Sequence, residues 1–342
     1  MHRNIIKHSV CITFALVFIS LDIPLPWLFG PLFACLLIAI LGIKIEEKKS
    51  VNDAMRTLLG VAAGASVTPV FFIMLPNIIT TLCLVFFLTF TIGIVGVFYF
   101  KRIGGYDFNT AYYASMPGGL PEMIVLGEEA GANIRALSLA HATRVLVIVA
   151  VLPVIFRYGW QIDLSSPPGQ SAVNAEPLQL VLIIMIALIG WRLAKWTGIF
   201  GAAILGPLIL AAVAALFGIL TTRPPAEFIW AAQYFIATGI GVKYVGITPL
   251  EIKRDVSTSL GFCIILGFLT TGAILFASWW ELAPTVDIIL AVTPGGQAEL
   301  LVLALVIGAD MSFVVAHQLL RVFSVILGAP IIAKIFSPKL EG

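Results

Sequence analysis

Of 342 residues, 60% are hydrophobic and only 11% are Asp, Glu, Lys or Arg, against roughly 25% charged residues in soluble domains, so the chain cannot cover itself with a water-soluble shell. A formal net charge of +2 gives neither the basic footprint of a nucleic-acid binder nor an acidic surface for a basic partner.

The first apolar run, Ser9 to Leu21, follows Arg3 and Lys7 as in a signal peptide. The Asp22-Ile-Pro-Leu-Pro after it lacks a small-residue cleavage site, so it reads as a first helix. Uncharged stretches such as Ile78 to Tyr99 and Leu178 to Trp191 reach or approach the roughly 20 apolar residues that span a bilayer core. Spans are expected at 8–22, 25–43, 56–74, 78–100, 107–129 and 132–156, and again at 178–195, 199–220, 225–245, 257–278, 285–308 and 312–335. The longest polar stretches, Lys44 to Asp53 and 158–177, are too short to hide a soluble or DNA-binding domain. Cys11, Cys35, Cys83 and Cys263 all fall in apolar segments without disulfide or metal-ligand spacing and read as inert packing.

The two series of spans are related. Pro117-Gly118-Gly119-Leu120-Pro121-Glu122 matches Pro294-Gly295-Gly296-Gln297-Ala298-Glu299 at an offset of 177. Gly131-Ala132-Asn133 matches Gly308-Ala309-Asp310 at that offset, Arg144 matches Arg321, and Pro153 matches Pro330. Ala140-His141 pairs with Ala316-His317 at 176, as does Gly30-Pro31-Leu32 with Gly206-Pro207-Leu208. A co-linear series of this kind identifies a tandem duplication: repeat unit one at 1–157, a Ser/Pro/Gly-rich linker at 158–177, and repeat unit two at 178–342.

Orientation follows from where Lys and Arg fall. If the Pro-Gly-Gly segment of each unit crosses the membrane, the repeats are parallel and Arg192, Lys195, Lys253 and Arg254 face outward, against the positive-inside bias. If each is a re-entrant pair of half-helices, five spans per unit remain and the second unit is inverted. Arg3, Lys7, Lys44, Lys48, Lys49, Arg56, Lys101, Arg102, Arg192, Lys195, Lys253, Arg254, Lys334 and Lys339 then face the cytoplasm and only Arg157 and Arg223 face out. The expected fold is therefore all-α: a polytopic membrane protein of two inverted repeats, each with about five transmembrane helices and one broken, re-entrant segment. Both termini are expected in the cytoplasm.

Inverted repeats with broken helices meeting at mid-membrane are how many secondary transporters are built, and irregular backbone at that depth needs protein or a water-filled cavity around it. The breaks Pro117, Gly118, Gly119 and Pro294, Gly295, Gly296 thus mark a candidate solute site, their glycines supplying positive φ for a sharp turn. Glu122 and Glu299 follow each break in apolar surroundings, either as cation or proton carriers or as acceptors for freed backbone N–H groups. His141 and Arg144 share a face of the last helix of unit one, as do His317 and Arg321 in unit two. Each arginine needs a partner, for which Glu122 and Glu299 are the candidates. Asn133 and Asp310 read as helix N-caps. No G-x-S-x-G, H-E-x-x-H or G-x-x-x-x-G-K occurs and no dense His or Cys cluster, so neither an enzyme, a cofactor nor a bound metal is expected.

The paired P-G-G-x-x-E breaks, the A-H and R that follow, and the G-P-L of the second helix resemble the AbrB family of bacterial inner-membrane proteins over nearly the whole chain. That family is unrelated in design to the small dimeric DNA-binding regulator that shares the name. Its members have been labelled ammonia monooxygenases and regulators of aidB expression. The chain also looks distantly similar to the cation-proton antiporter and anion transporter group, although it lacks the paired aspartates that sodium-proton antiporters use. The resemblance implies a multi-pass protein of the bacterial inner membrane. The expected function is that of a secondary carrier moving a small solute, an organic anion or weak acid, by alternating access. The alternative is a membrane-embedded sensor or regulator, with ammonia oxidation a distant third. The lipid bilayer and a small solute are the expected partners, nucleic acid is not, and homo-oligomerisation is left open.

Overall fold

The computed structural model describes residues 2–164, 168–199 and 201–336, without the side chains of 2–5, 70–75, 77, 121 and 329–336. Of the residues used above, Lys339, positions 165–167 of the linker, and the side chains of Arg3, Pro121, Pro330 and Lys334 lie outside the described residues.

Every regular element among the described residues is helical. The first half runs α1 (His2–Ser20), α2 (Pro26–Ile40), α3 (Lys49–Gly64), α4 (Pro69–Arg102), two half-helices α5 (Phe108–Ser115) and α6 (Leu120–Glu129), and α7 (Ile134–Gly159). The second half runs α8 (Pro177–Trp196), α9 (Ala202–Leu216), α10 (Ala226–Gly241), the single turn α11 (Pro249–Glu251), and a π-helical stretch Ile252–Val256 that leads into α12 (Ser257–Trp279). The half-helices α13 (Thr285–Val292) and α14 (Gln297–Ile307) and then α15 (Met311–Phe336) complete it. Five stretches, Ile78–Arg102, Ile134–Gly159, Pro177–Trp196, Pro249–Trp279 and Met311–Gly328, are long and apolar enough to cross a membrane. The chain is all-α and of the polytopic membrane type.

Exposed side chains agree with that class. On α4, Phe87, Ile94 and Phe98 are 67%, 72% and 68% exposed, at spacings of seven and four that put them on one helix face. Leu260, Ile264 and Phe268 do the same on α12. An apolar stripe of this kind is unfavourable in water and ordinary against lipid.

One boundary differs from the sequence expectation. The single span expected at 56–74 is instead the end of α3 at Gly64 and the start of α4 at Pro69. Proline lacks an N–H to donate backward, so it opens a helix readily and interrupts one expensively. The resulting α4, at 34 residues, is about 50 Å long.

The chain packs into two compact units, and neither is one half of the sequence. Unit one comprises Met1–Leu75, Val149–Ile247 and Ala298–Ser312; unit two comprises Pro76–Ile148, Thr248–Gln297 and Phe313–Gly342. Each unit draws on both halves of the sequence.

In unit one, α1 packs on α2, α2 on α10, and α3 and α8 on α9. The α8–α9 crossing depends on two glycines: a Cβ on Gly190 would lie 2.7 Å from the backbone of Pro207, and one on Gly206 would meet the Gly190 carbonyl. Removing both side chains lets the backbones approach, the device by which apolar helices associate where lipid removes the hydrophobic drive between them. Lys7 is buried and paired with Glu47, with Nζ also donating to the Glu46 carbonyl at 3.0 Å. Cys11 and Cys35, far apart in sequence, lie buried with their Sγ atoms 3.6 Å apart.

In unit two, Phe100, Tyr106, Phe262 and Leu266 belong to one buried cluster shared by α4, α12 and the loop after α4. The Tyr106 hydroxyl donates to the buried Asp255 carboxylate at 2.9 Å, and Arg254 Nε donates to the same oxygen at 2.7 Å. Burial first, and then the Asp255 charge, raise the Tyr106 hydroxyl above the usual phenol range, so it remains a donor. Arg135 Nε on α7 donates to Glu251 Oε1 at 2.7 Å.

Candidate functional site

The first break is built from a helix that stops early. Asp107 caps α5 by accepting from the Thr110 N–H at 2.9 Å. After Ser115 the backbone turns extended, with Met116 at φ −64°, ψ 130° and Gly119 at φ −69°, ψ 144°. The chain then folds back on itself. Asn109 Nδ2 at the start of α5 donates to the Ala130 carbonyl past the end of α6 at 2.6 Å, and the Asn133 N–H donates to Thr110 Oγ1 at 2.8 Å. Asn133 also caps α7, accepting from the Ala136 N–H at 3.1 Å. Asp310 does likewise for α15, accepting from the Ser312 N–H at 2.9 Å.

None of the four break glycines has a positive φ, which corrects the expectation that the turn needs left-handed backbone. At Gly118 the requirement is space. A Cβ there would lie 2.9 Å from Met123 Cε, 3.0 Å from Met123 Sδ and 3.1 Å from Val325 Cγ1, so a side chain there must displace the Met123 thioether and crowd Val325.

A half-helix ending inside protein leaves carbonyls without partners and presents the negative end of its dipole. Arg144 answers both. Its Nη1 donates to the Met116 carbonyl at 3.0 Å, and its Nη2 to the Gly118 carbonyl at 3.1 Å. That Nη2 also lies 2.9 Å from His141 Nδ1. A guanidinium only donates, so Nδ1 accepts and the ring proton sits on Nε2, which donates to the Tyr113 carbonyl at 2.9 Å. Arg321 does the same work at the second break, donating from Nη1 to the Thr293 carbonyl at 2.6 Å. There the turn is closed by the Gly295 N–H, which donates to the same Thr293 carbonyl at 2.9 Å.

The pairing expected between the arginines and Glu122 or Glu299 is not made. Among the described residues neither Arg144 nor Arg321 forms an ion pair; each donates instead to backbone carbonyls at its break. Both glutamates lie in the first turn of their half-helices, α6 and α14, where the positive dipole end favours a carboxylate. The Glu122 carboxylate lies against the backbone of Gly119. His317 also departs from expectation. It pairs with Thr81 Oγ1 at 2.8 Å through Nε2 and with the Phe313 carbonyl at 2.7 Å through Nδ1, and makes no bond to Arg321.

Pro117, Gly118, Gly119, Glu122, His141, Arg144, Pro294, Gly295, Gly296, His317 and Arg321 all belong to compact unit two; Glu299 packs with unit one. Within unit two, Val325, four residues beyond Arg321 on α15, lies beside Gly118 of the first break.

Residues 27–337 match the family model described as "Transition state regulatory protein AbrB". The chain belongs to the AbrB family. It is 25% identical over 334 residues to an Escherichia coli (strain K12) protein named "Putative regulator AbrB", covering 94% of this chain and 92% of that one. It is 23% identical over 334 residues to the Bacillus subtilis (strain 168) "Uncharacterized protein YhjN", covering 90% and 86%.

In this AbrB-family chain the buried arginines are incompletely satisfied. Arg144 and Arg321 are 3% and 2% exposed, and the Nε of each lacks a hydrogen-bond partner among the described residues, as do both amide atoms of Gln318 and Nε2 of Gln297. No three His, Cys, Asp or Glu side chains among the described residues converge as a metal site would need. Gln318 and Gln297 escaped the sequence reading. The signal was the register: at the offset of 177 that pairs Arg144 with Arg321, the counterpart of His141 is Gln318, not His317.

Proposed function

We propose that this AbrB-family protein is a secondary carrier of the bacterial inner membrane that moves a small organic anion or weak acid, with the two breaks and Arg144 and Arg321 as its solute site. The supporting observation is the pair of buried guanidiniums. Each is bonded to break carbonyls, with Nε unsatisfied and no carboxylate partner. An intramembrane arginine is permanently charged and costly, and carbonyl dipoles offset that cost only in part. A bound anion would supply the missing charge and acceptors. The N-termini of α6 and α14 add positive dipole ends at the same breaks.

The inverted repeat, with both breaks re-entrant and both termini cytoplasmic, belongs to this proposal. Such an arrangement exposes one site alternately to either side by rocking around it. A second reading, a membrane-embedded regulator that does not transport, is favoured by the name of the Escherichia coli relative, "Putative regulator AbrB".

Uptake of a panel of labelled small acids into proteoliposomes separates the two. The carrier reading requires uptake by the parent protein and its loss in Arg144→Gln and Arg321→Gln variants that still insert and fold. No uptake of any acid, or an unaltered anion profile in both variants, overturns it.

A further inference from the structure

The unsatisfied polar atoms of unit two are unevenly divided between the breaks. At the first, Arg144 holds two carbonyls and His141, and His141 is satisfied at both ring nitrogens. At the second, Arg321 holds one carbonyl. The residue in the place of His141, Gln318, is fully buried with neither amide atom bonded. Gln318 and Arg321 are three apart on α15 and share a face, and Val325, one turn on, reaches the first break beside Gly118. Gln297 opens α14 four residues past Thr293, whose carbonyl Arg321 holds, and its Nε2 is likewise unbonded.

Resting on the carrier reading above, we infer that Gln318 and Gln297 are substrate-contacting residues and that the solute is a small carboxylate bearing a hydroxyl group. Among the fully buried polar atoms of these four residues, the unbonded donors are Nε–H of Arg144 and Arg321 and the amide hydrogens of Gln297 and Gln318, and the unbonded acceptor is Gln318 Oε1. A plain carboxylate supplies acceptors for the donors and leaves Oε1 unmet. An amino acid would meet it with an ammonium, which the two guanidiniums repel. A hydroxyl gives Oε1 a hydrogen without adding positive charge. Gln318 is neutral, so it selects among anions that the arginines attract. An isolated buried amide is costly to leave unbonded, which is why an amide here discriminates where an apolar side chain would not.

The test is equilibrium binding to the full-length protein in lipid nanodiscs, using acetate and glycolate, propionate and lactate, and succinate and malate, pairs that differ by one hydroxyl. The expected result is preference for the hydroxylated member of at least one pair by about ten-fold, as one discriminating hydrogen bond gives. In Gln318→Leu and Gln318→Met that preference disappears while the plain acid still binds. Equal affinity within every pair for the parent, or a hydroxyl preference that survives in both variants, overturns the inference and leaves the carrier reading standing. In that case the amide is met by water alone. Failure of the parent to bind any of the six acids counts against the carrier reading itself and removes the inference with it.

Discussion

Arg144 on α7 donates to the Met116 carbonyl at 3.0 Å, so a guanidinium from the last helix of the first half caps the half-helix that ends at the first break. The same group reaches on to the Gly118 carbonyl within the break, which makes its planar fork, and not its charge alone, the structural requirement.

Arg144→Lys should therefore fail although it keeps the charge, since one ammonium cannot span two carbonyls and His141 with the same geometry. Losing one or two charge-assisted bonds in a buried site costs about 2–4 kcal/mol. Thermal unfolding followed by size-exclusion fluorescence in detergent should show a drop of several degrees for Arg144→Lys. An unchanged midpoint would mean that the fork is not needed.

At Gly118 the obstacle is a methionine. Gly118→Val should disrupt the break, and Gly118→Ala should be weakened because its Cβ meets Met123 at about 3 Å. Adding Met123→Ala to Gly118→Ala makes room and should recover part of the lost stability. If the double variant is no better than the sum of the two single changes, the crowding account is wrong.

The α8–α9 crossing is less forgiving, because the obstacle there is backbone. Gly190→Val or Gly206→Val should destabilise unit one by about 3 kcal/mol, at the upper end of overpacking costs, and reduce the amount of folded protein recovered from membranes. Recovery equal to the parent's for both variants would show that these helices can separate freely.

Tyr106→Phe removes one of the two donors on the buried Asp255 oxygen. The expected cost is about 1–2 kcal/mol, with insertion unaffected. A change in midpoint no larger than that of Tyr158→Phe, at an exposed position, would show that Arg254 satisfies Asp255 alone.

For topology, Lys48→Cys and Val173→Cys in a background without Cys11, Cys35, Cys83 and Cys263 should behave oppositely in intact cells. The inverted arrangement puts 158–177 outside and Lys44 to Asp53 inside, so a membrane-impermeant maleimide should label Val173→Cys only. Labelling of Lys48→Cys in sealed cells would reverse the orientation.

Composition and periodicity alone determined that the chain is helical and built for lipid, because apolar stretches of spanning length leave the backbone no other way to satisfy itself. The series of matched motifs likewise located the two breaks and the arginines beyond them, since a Pro-Gly-Gly run repeated at corresponding positions disfavours a continuous helix more than the single prolines that α2, α4, α7 and α9 accommodate. What the sequence could not decide was the partner of each charge. Glu122 and Glu299 were the only nearby carboxylates by pattern, yet Arg144 and Arg321 went to carbonyls that exist as free acceptors only because α5 and α13 stop where they do. The one-residue difference between His317 and Gln318 also needed three dimensions. His317 and Gln318 stand four and three residues before Arg321, so both flank its face of the helix, and only the packed neighbours decide that His317 bonds Thr81 while the Gln318 amide is left unbonded. The grouping of both halves into each compact unit is likewise a matter of packing between helices distant in sequence, which no local pattern records.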